Sequence, residues 1–97
     1  MTELSIIGLM SGTSADGIDA AMLITDGVRV NRIGISGHFE YRQETRLAIR
    51  ACCADPAMFL ADTSARTSLD TAIAVDHAAA VQALGAEFAD RIDLIGF

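Results

Sequence analysis

The chain contains no lysine: all seven basic residues are arginine, set against thirteen acidic residues for a net charge of −6. Without a lysine amine these residues can form neither a Walker-type phosphate loop nor a Schiff base. Clustered basic charge is lacking too. The arginines are scattered and the pI is about 4.5, which excludes the basic face that nucleic-acid phosphates require. Mean hydropathy is +0.38, yet no stretch approaches the ~20 apolar residues of a membrane-spanning helix, so no membrane partner is expected. The opening Met1-Thr2-Glu3-Leu4 has no basic segment and runs straight into a strand-like run, so no secretory signal is expected. Cysteine is confined to the adjacent Cys52 and Cys53. A bridge between neighbours strains the intervening peptide, and no further ligand stands at metal spacing. Reduced, structural thiols in a cytoplasmic protein are expected, with a redox pair as the alternative. A length of 97 residues fits one domain or a piece of one.

What is present begins with a short apolar run, Leu4 to Met10, bounded by Ser and Gly, which reads as a buried strand. Residues 11–19 read as a turn-rich loop. A second strand, Ala20 to Thr25, stops at Asp26-Gly27, a dipeptide that tolerates the positive φ of a tight hairpin. A third strand runs from Val28 to about Tyr41. Its inward alternation starts on Val28 and Val30 and resumes on Ile33 and Ile35, so a bulge is expected near Arg32. Gln43 to Cys53 reads as a short helix stopped before Pro56, and Met58-Phe59-Leu60 as one further turn. Ser68 to Arg91 reads as the longest helix, with Leu69, Ile73, Val81, Leu84 and Phe88 on its apolar stripe and Asp70, Asp76, Glu87 and Asp90 mostly elsewhere. Thr67 and Asp70 resemble a capping box at its start. Ile92 to Phe97 reads as a strand just beginning, so the polypeptide is expected to stop inside a fold that continues. This order specifies an α/β fold, a mixed sheet with helices packed on it.

The loop at residues 11–19 is the segment whose spacing carries chemistry. Gly12 and Gly17 permit close backbone approach, Thr13 and Ser14 bring hydroxyls, and successive amides there can form an anion-binding nest. Asp16 and Asp19 add carboxylates able to hold a hydrated Mg²⁺ whose other ligands are phosphate oxygens. Together these parts suit nucleotide phosphoryl transfer. An ordinary hairpin loop has the same composition, and spacing alone leaves both readings open.

The stretch from Ile7 through Met10-Ser11-Gly12-Thr13-Ser14-Ala15-Asp16-Gly17-Ile18-Asp19 to Ala21 resembles the opening signature of the anhydro-N-acetylmuramic acid kinase family. Ile95-Gly96-Phe97 is similar to a later strand of that family, where a His-Gly-Gln segment would follow. The family belongs to the actin-like and hexokinase-like, ribonuclease H-like ATPase superfamily, whose domains open with β-β-β-α-β and place the first phosphate loop between strands one and two. The resemblance implies a cytoplasmic, ATP- and Mg²⁺-dependent kinase of peptidoglycan recycling. Such a kinase opens the ring of 1,6-anhydro-N-acetylmuramic acid with water and phosphorylates its 6-oxygen. It also implies that Gly12, Thr13, Ser14, Ala15, Asp16, Gly17, Ile18 and Asp19 bind the nucleotide, with Asp16 and Asp19 meeting Mg²⁺ through water. Many superfamily members carry an Asp at the end of strand one, where this chain has Met10. By resemblance the general-base Asp, most of the sugar site and the second domain lie beyond Phe97. The 97 residues are then the N-terminal part of a single kinase domain, expected to be inactive alone, and a homodimer is the assembly expected of the full-length protein. A non-catalytic truncated module and a different sugar or acid kinase of the superfamily are the competing readings.

Elsewhere, His77 falls on the apolar side of the long helix and is expected to be a core histidine. His38 reads as a solvated loop residue, Arg46 and Arg50 as an exposed helix face, and Met10 and Met22 as core.

Overall fold

In a computed structural model of the chain, residues 3–11, 15–86 and 92–97 are described. The elements are β1 (Leu4–Ser11), β2 (Gly17–Thr25), β3 (Val30–Glu40), α1 (Gln43–Ala54), α2 (Pro56–Ala61), α3 (Thr63–Ala86) and β4 (Leu94–Gly96). They form a four-stranded mixed sheet of order β3-β2-β1-β4, antiparallel except where β4 runs parallel to β1. This α/β arrangement is the one expected, and it accords with the opening portion of an actin-like ATPase domain.

Alternation along β2 builds the core. Ile18, Ala20, Met22 and Ile24 turn to one face, where they are buried, while Asp19 and Ala21 turn to the other and are exposed. On the buried face Ile7, Ala20 and Met22 pack with Leu84 of α3, and Ile18 packs with Tyr41 and Ala80. The helices form a layer on one side of the sheet, and the radius of gyration, 15.8 Å, exceeds the ~12.5 Å of a compact domain of this length because the molecule is elongated, at 49 × 23 × 20 Å.

The helices are punctuated by aspartates. Asp55 ends α1 and opens α2, where its carboxylate accepts from the Met58 amide and Pro56 takes the first helical position, at which no donor is needed. Asp62 does the same for α3 by accepting from the Ala65 amide. The long helix therefore begins at Thr63 rather than Ser68, and Thr67 and Asp70 lie inside it instead of capping it. Residues 87–91, including Glu87, Phe88, Asp90 and Arg91 of the expected helix, lie outside the described residues. Asp76 also departs from expectation. It is buried on the inner side of α3, where both the backbone amide and Nε of Arg42 donate to its carboxylate, fixing the end of β3 and the start of α1 against the long helix.

The third strand carries two register shifts against β2, one between Ala21 and Leu23 and one between Ile24 and Thr25. The expected bulge is present and Ile35 packs inward as expected, but the rest of the inward phase differs. Val28 precedes the strand, and Val30 and Ile33 are exposed. The shifts leave Ile35 and Phe39 as the β3 side chains packed against the core. Met22 is buried as expected; Met10, also expected in the core, is 70% exposed because it sits on the helix-free face.

Candidate functional site

The ladder between β1 and β2 runs further than the turn-rich composition suggests. Met10 pairs with Asp19 and Ser11 with Ile18, so Ser11, Gly17, Ile18 and Asp19 of the expected loop belong to strands. The connection itself is residues 12–16. Of the expected nucleotide-binding residues, Gly12, Thr13 and Ser14 lie outside the described residues. Ala15 is buried and adopts φ 56°, left-handed backbone that side chains other than glycine seldom take. Asp16 follows it at the surface. Ile18 is 1% exposed and packs on Tyr41 and Ala80, so its side chain anchors the return limb of the loop to the core.

Gly17 sits where no side chain fits. A Cβ there would stand 2.6 Å from the Phe39 carbonyl oxygen and 2.7 Å from Nε2 of His38. Two residues on, the Asp19 carboxylate lies on the open face, its Oδ1 2.7 Å from Nδ1 of His38, its cross-strand partner on β3. His38 is thus a strand residue rather than a loop one. The imidazole is held above its ordinary pKa first by the Asp19 hydrogen bond, with the charges of Asp19, Asp16 and Glu40 adding to it and desolvation opposing it.

A second segment reaches the loop from α1. Nη2 of Arg46 approaches the Asp16 carbonyl oxygen at 3.5 Å, and its Nε is buried without a hydrogen-bond partner among the described residues. Arg46 is therefore half-buried and turned towards the loop instead of forming an exposed helix face; Arg50 is exposed as expected. A cationic donor beside a loop with two surface aspartates suits an anionic ligand carrying a divalent cation. Among the described residues no three His, Cys, Asp or Glu side chains gather to hold a metal alone, so a cation here would take further ligands from phosphate and water.

The surrounding surface is concave. Gly8, Ala21, Ser36 and Gly96 form one row of small residues across all four strands, flanked by Met10 and His38, above a groove of about 810 Å³. Parallel strands β1 and β4 both run towards the loop side of this groove, the carboxyl edge at which α/β sheets bind ligands.

Comparison with known proteins adds the decisive observation. The sequence profile of anhydro-N-acetylmuramic acid kinase matches residues 4–96. The chain belongs to this family. Among curated relatives, the anhydro-N-acetylmuramic acid kinase of Rhodopseudomonas palustris (strain ATCC BAA-98 / CGA009) is 38% identical over 97% of this chain and 27% of its own length. That of Acidiphilium cryptum (strain JF-5) is 47% identical over 94% of the chain and 24% of its own length. The chain thus spans about a quarter of the length of the relatives it matches. No solved structure matches it.

Within this member of the anhydro-N-acetylmuramic acid kinase family, sequence reasoning placed the loop but not its neighbours. Counting the alternation from Ile18 and Ala20 puts Asp19 on the opposite face, but its pairing with His38 was not legible, because the register between β2 and β3 decides it. Nor was the approach of Arg46, because it depends on how α1 packs against the sheet.

Proposed function

We propose that this chain supplies the nucleotide-phosphate loop of an ATP-dependent kinase that acts on 1,6-anhydro-N-acetylmuramic acid. The reaction opens the anhydro ring with water and places the γ-phosphoryl group of ATP on the 6-oxygen, as a cytoplasmic step of peptidoglycan recycling. The observation that carries this reading is the position of the Ser11–Asp19 segment. Its two limbs are joined by the Ser11–Ile18 pair on the side towards which β1 and β4 run, with Asp19 on the open face and Arg46 at the Asp16 carbonyl. Family membership agrees with it.

Phosphoryl transfer asks a protein mainly to position charged oxygens and balance their charge. In this reading residues 12–19 hold the phosphates through backbone amides and the hydroxyls of Thr13 and Ser14. Asp16 and Asp19 face Mg²⁺ through water. Mg²⁺, when bound, supplies neutralisation of the phosphate charge. Asp19 is the cross-strand partner of Met10, so it presents a carboxylate one strand over from the position where the wider superfamily carries its strand-one Asp. Arg46 steadies the Asp16 carbonyl and the turn. The general base and most of the sugar site belong to the remainder of the full-length protein.

Calorimetric titration of the full-length protein with Mg²⁺-ADP tests the reading. Gly12→Val and Asp19→Ala should each weaken binding by at least about tenfold, the usual scale for loss of a positioned charged or close-approach contact. Unchanged affinity in both would remove the loop from the nucleotide site. Exposure of Leu94, Ile95 and Phe97 along β4, the strand at one edge of the sheet, favours a second reading, a non-catalytic module that self-associates. Full-length protein with no nucleotide affinity would support that reading instead.

A further inference from the structure

Three groups meet at the loop end of the open face: the Asp19 carboxylate on β2, the His38 ring across from it on β3, and the bare backbone of Gly17. Nδ1 of His38 lies 2.7 Å from Oδ1 of Asp19. The other side of the same ring lies against Gly17, where an added Cβ would stand 2.7 Å from Nε2 and 2.8 Å from Cε1. One imidazole therefore touches the return limb of the loop twice, at the side chain of residue 19 and at the backbone of residue 17.

We propose that His38 is a positioning residue: it fixes the rotamer of Asp19 and the path of Gly17 so that the second carboxylate oxygen faces the Mg²⁺-nucleotide. The proposal rests on the reading of residues 12–19 as the phosphate loop. An aspartate side chain 73% exposed has rotamers to choose from, and a donor fixed on the neighbouring strand selects one. His38 engages Oδ1 alone, and a carboxylate offers two oxygens with about four lone-pair sites. Both partners are substantially exposed, at 46% and 73%, so the pair adds little to stability; its effect falls on the orientation of a ligand-facing oxygen.

The test is a double-mutant cycle in the full-length protein, read by calorimetry with Mg²⁺-ADP and with ADP in chelator. His38→Ala should weaken Mg²⁺-ADP by about tenfold, the lower end for loss of a partner that orients a ligating group. ADP without Mg²⁺ and the KM for the sugar should stay at parental values. His38→Asn, whose amide can still donate to Asp19, should recover most of the affinity. In an Asp19→Ala background, His38→Ala should add nothing. Nitrogen-15 spectra of the nucleotide-free protein should show Nδ1 carrying a proton. The proposal is overturned if His38→Ala retains parental Mg²⁺-ADP affinity, if its loss persists undiminished in the Asp19→Ala background, or if Nδ1 proves unprotonated. Should Asp19→Ala itself leave Mg²⁺-ADP binding unchanged, the phosphate-loop reading fails first and the positioning role falls with it.

Discussion

At the far end of β2, Asp26-Gly27 closes the hairpin to β3 with its polar groups satisfied inside the turn. Oδ1 of Asp26 accepts from the amides of Val28 and Arg29 at 2.9 and 2.8 Å. The Thr25 hydroxyl donates to the Arg29 carbonyl and accepts from the Gly27 amide. At the near end, the partners of the loop come from elsewhere in the chain: His38 of β3 meets Asp19, and Arg46 of α1 meets the Asp16 carbonyl. Glycine serves the two ends differently as well. Gly27 has φ +94° with open space around its Cβ position, so it is needed for conformation. Gly17 is needed for room, because the Phe39 carbonyl and the His38 ring fill the place a side chain would take. A turn built from Asp and Gly is thus a self-contained connector at one end of the strand and, at the other, a surface assembled from three elements.

The largest effect expected from breaking this contrast is at Gly17. Gly17→Ala must push the β3 backbone or displace His38, and overpacking of this kind costs about 1–3 kcal/mol. Chemical denaturation of the full-length protein should show that loss, and Mg²⁺-ADP affinity should fall by about tenfold or more because Asp19 loses its partner. Parental affinity in a folded Gly17→Ala protein would show that the close approach of β3 is incidental to the site.

A smaller and purely structural effect is expected at the other glycine. Gly27→Ala places a side chain at positive φ, a strain of about 1–2 kcal/mol, which denaturation should register. Mg²⁺-ADP affinity should not change. If it fell as far as in Gly17→Ala, the two ends of β2 would not be separable.

How much of this was legible in the sequence follows the same division. The Asp26-Gly27 turn is a local device, decided by residues within four positions of one another, and its composition was sufficient to read it. So were α1, where Pro56 forbids continuation, and the burial of Met22. The loop end was legible as a motif but not in its extent. Ser and Gly suggest a turn from residue 11 to 19, whereas the apolar Ile18 pulls the ladder on to the Ser11–Ile18 pair. The inward phase of β3 was legible only at Ile35, because it depends on where two register shifts fall, which only the pairing with β2 decides. The burial of Asp76 was not legible, because it depends on Arg42, thirty-four residues away, which makes it tolerable. Met10 was assigned to the core because apolar character says nothing about which sheet face the helices cover.

The smallest effect separates the two ends by pH. The Asp26 carboxyl is held below its ordinary value of 3.8 first by the Arg29 amide and then by the Val28 amide, with desolvation opposing them. A depressed pKa favours the ionised form in the folded state, so its contribution is complete above pH 3.8 and is lost as the pH falls through the lower, folded-state value. Asp26→Asn removes the charge while keeping an acceptor oxygen. The melting temperature of this variant in the full-length protein should lie slightly below the parent's at neutral pH, and the difference should shrink on acidification below pH 3.8. Mg²⁺-ADP affinity at neutral pH should match the parent's, since among the described residues the bonds of the Asp26 side chain stay within its own turn. A difference that persisted undiminished in acid would place the effect of Asp26 outside the ionised carboxylate. A fall in nucleotide affinity would mean that the two turns communicate along β2.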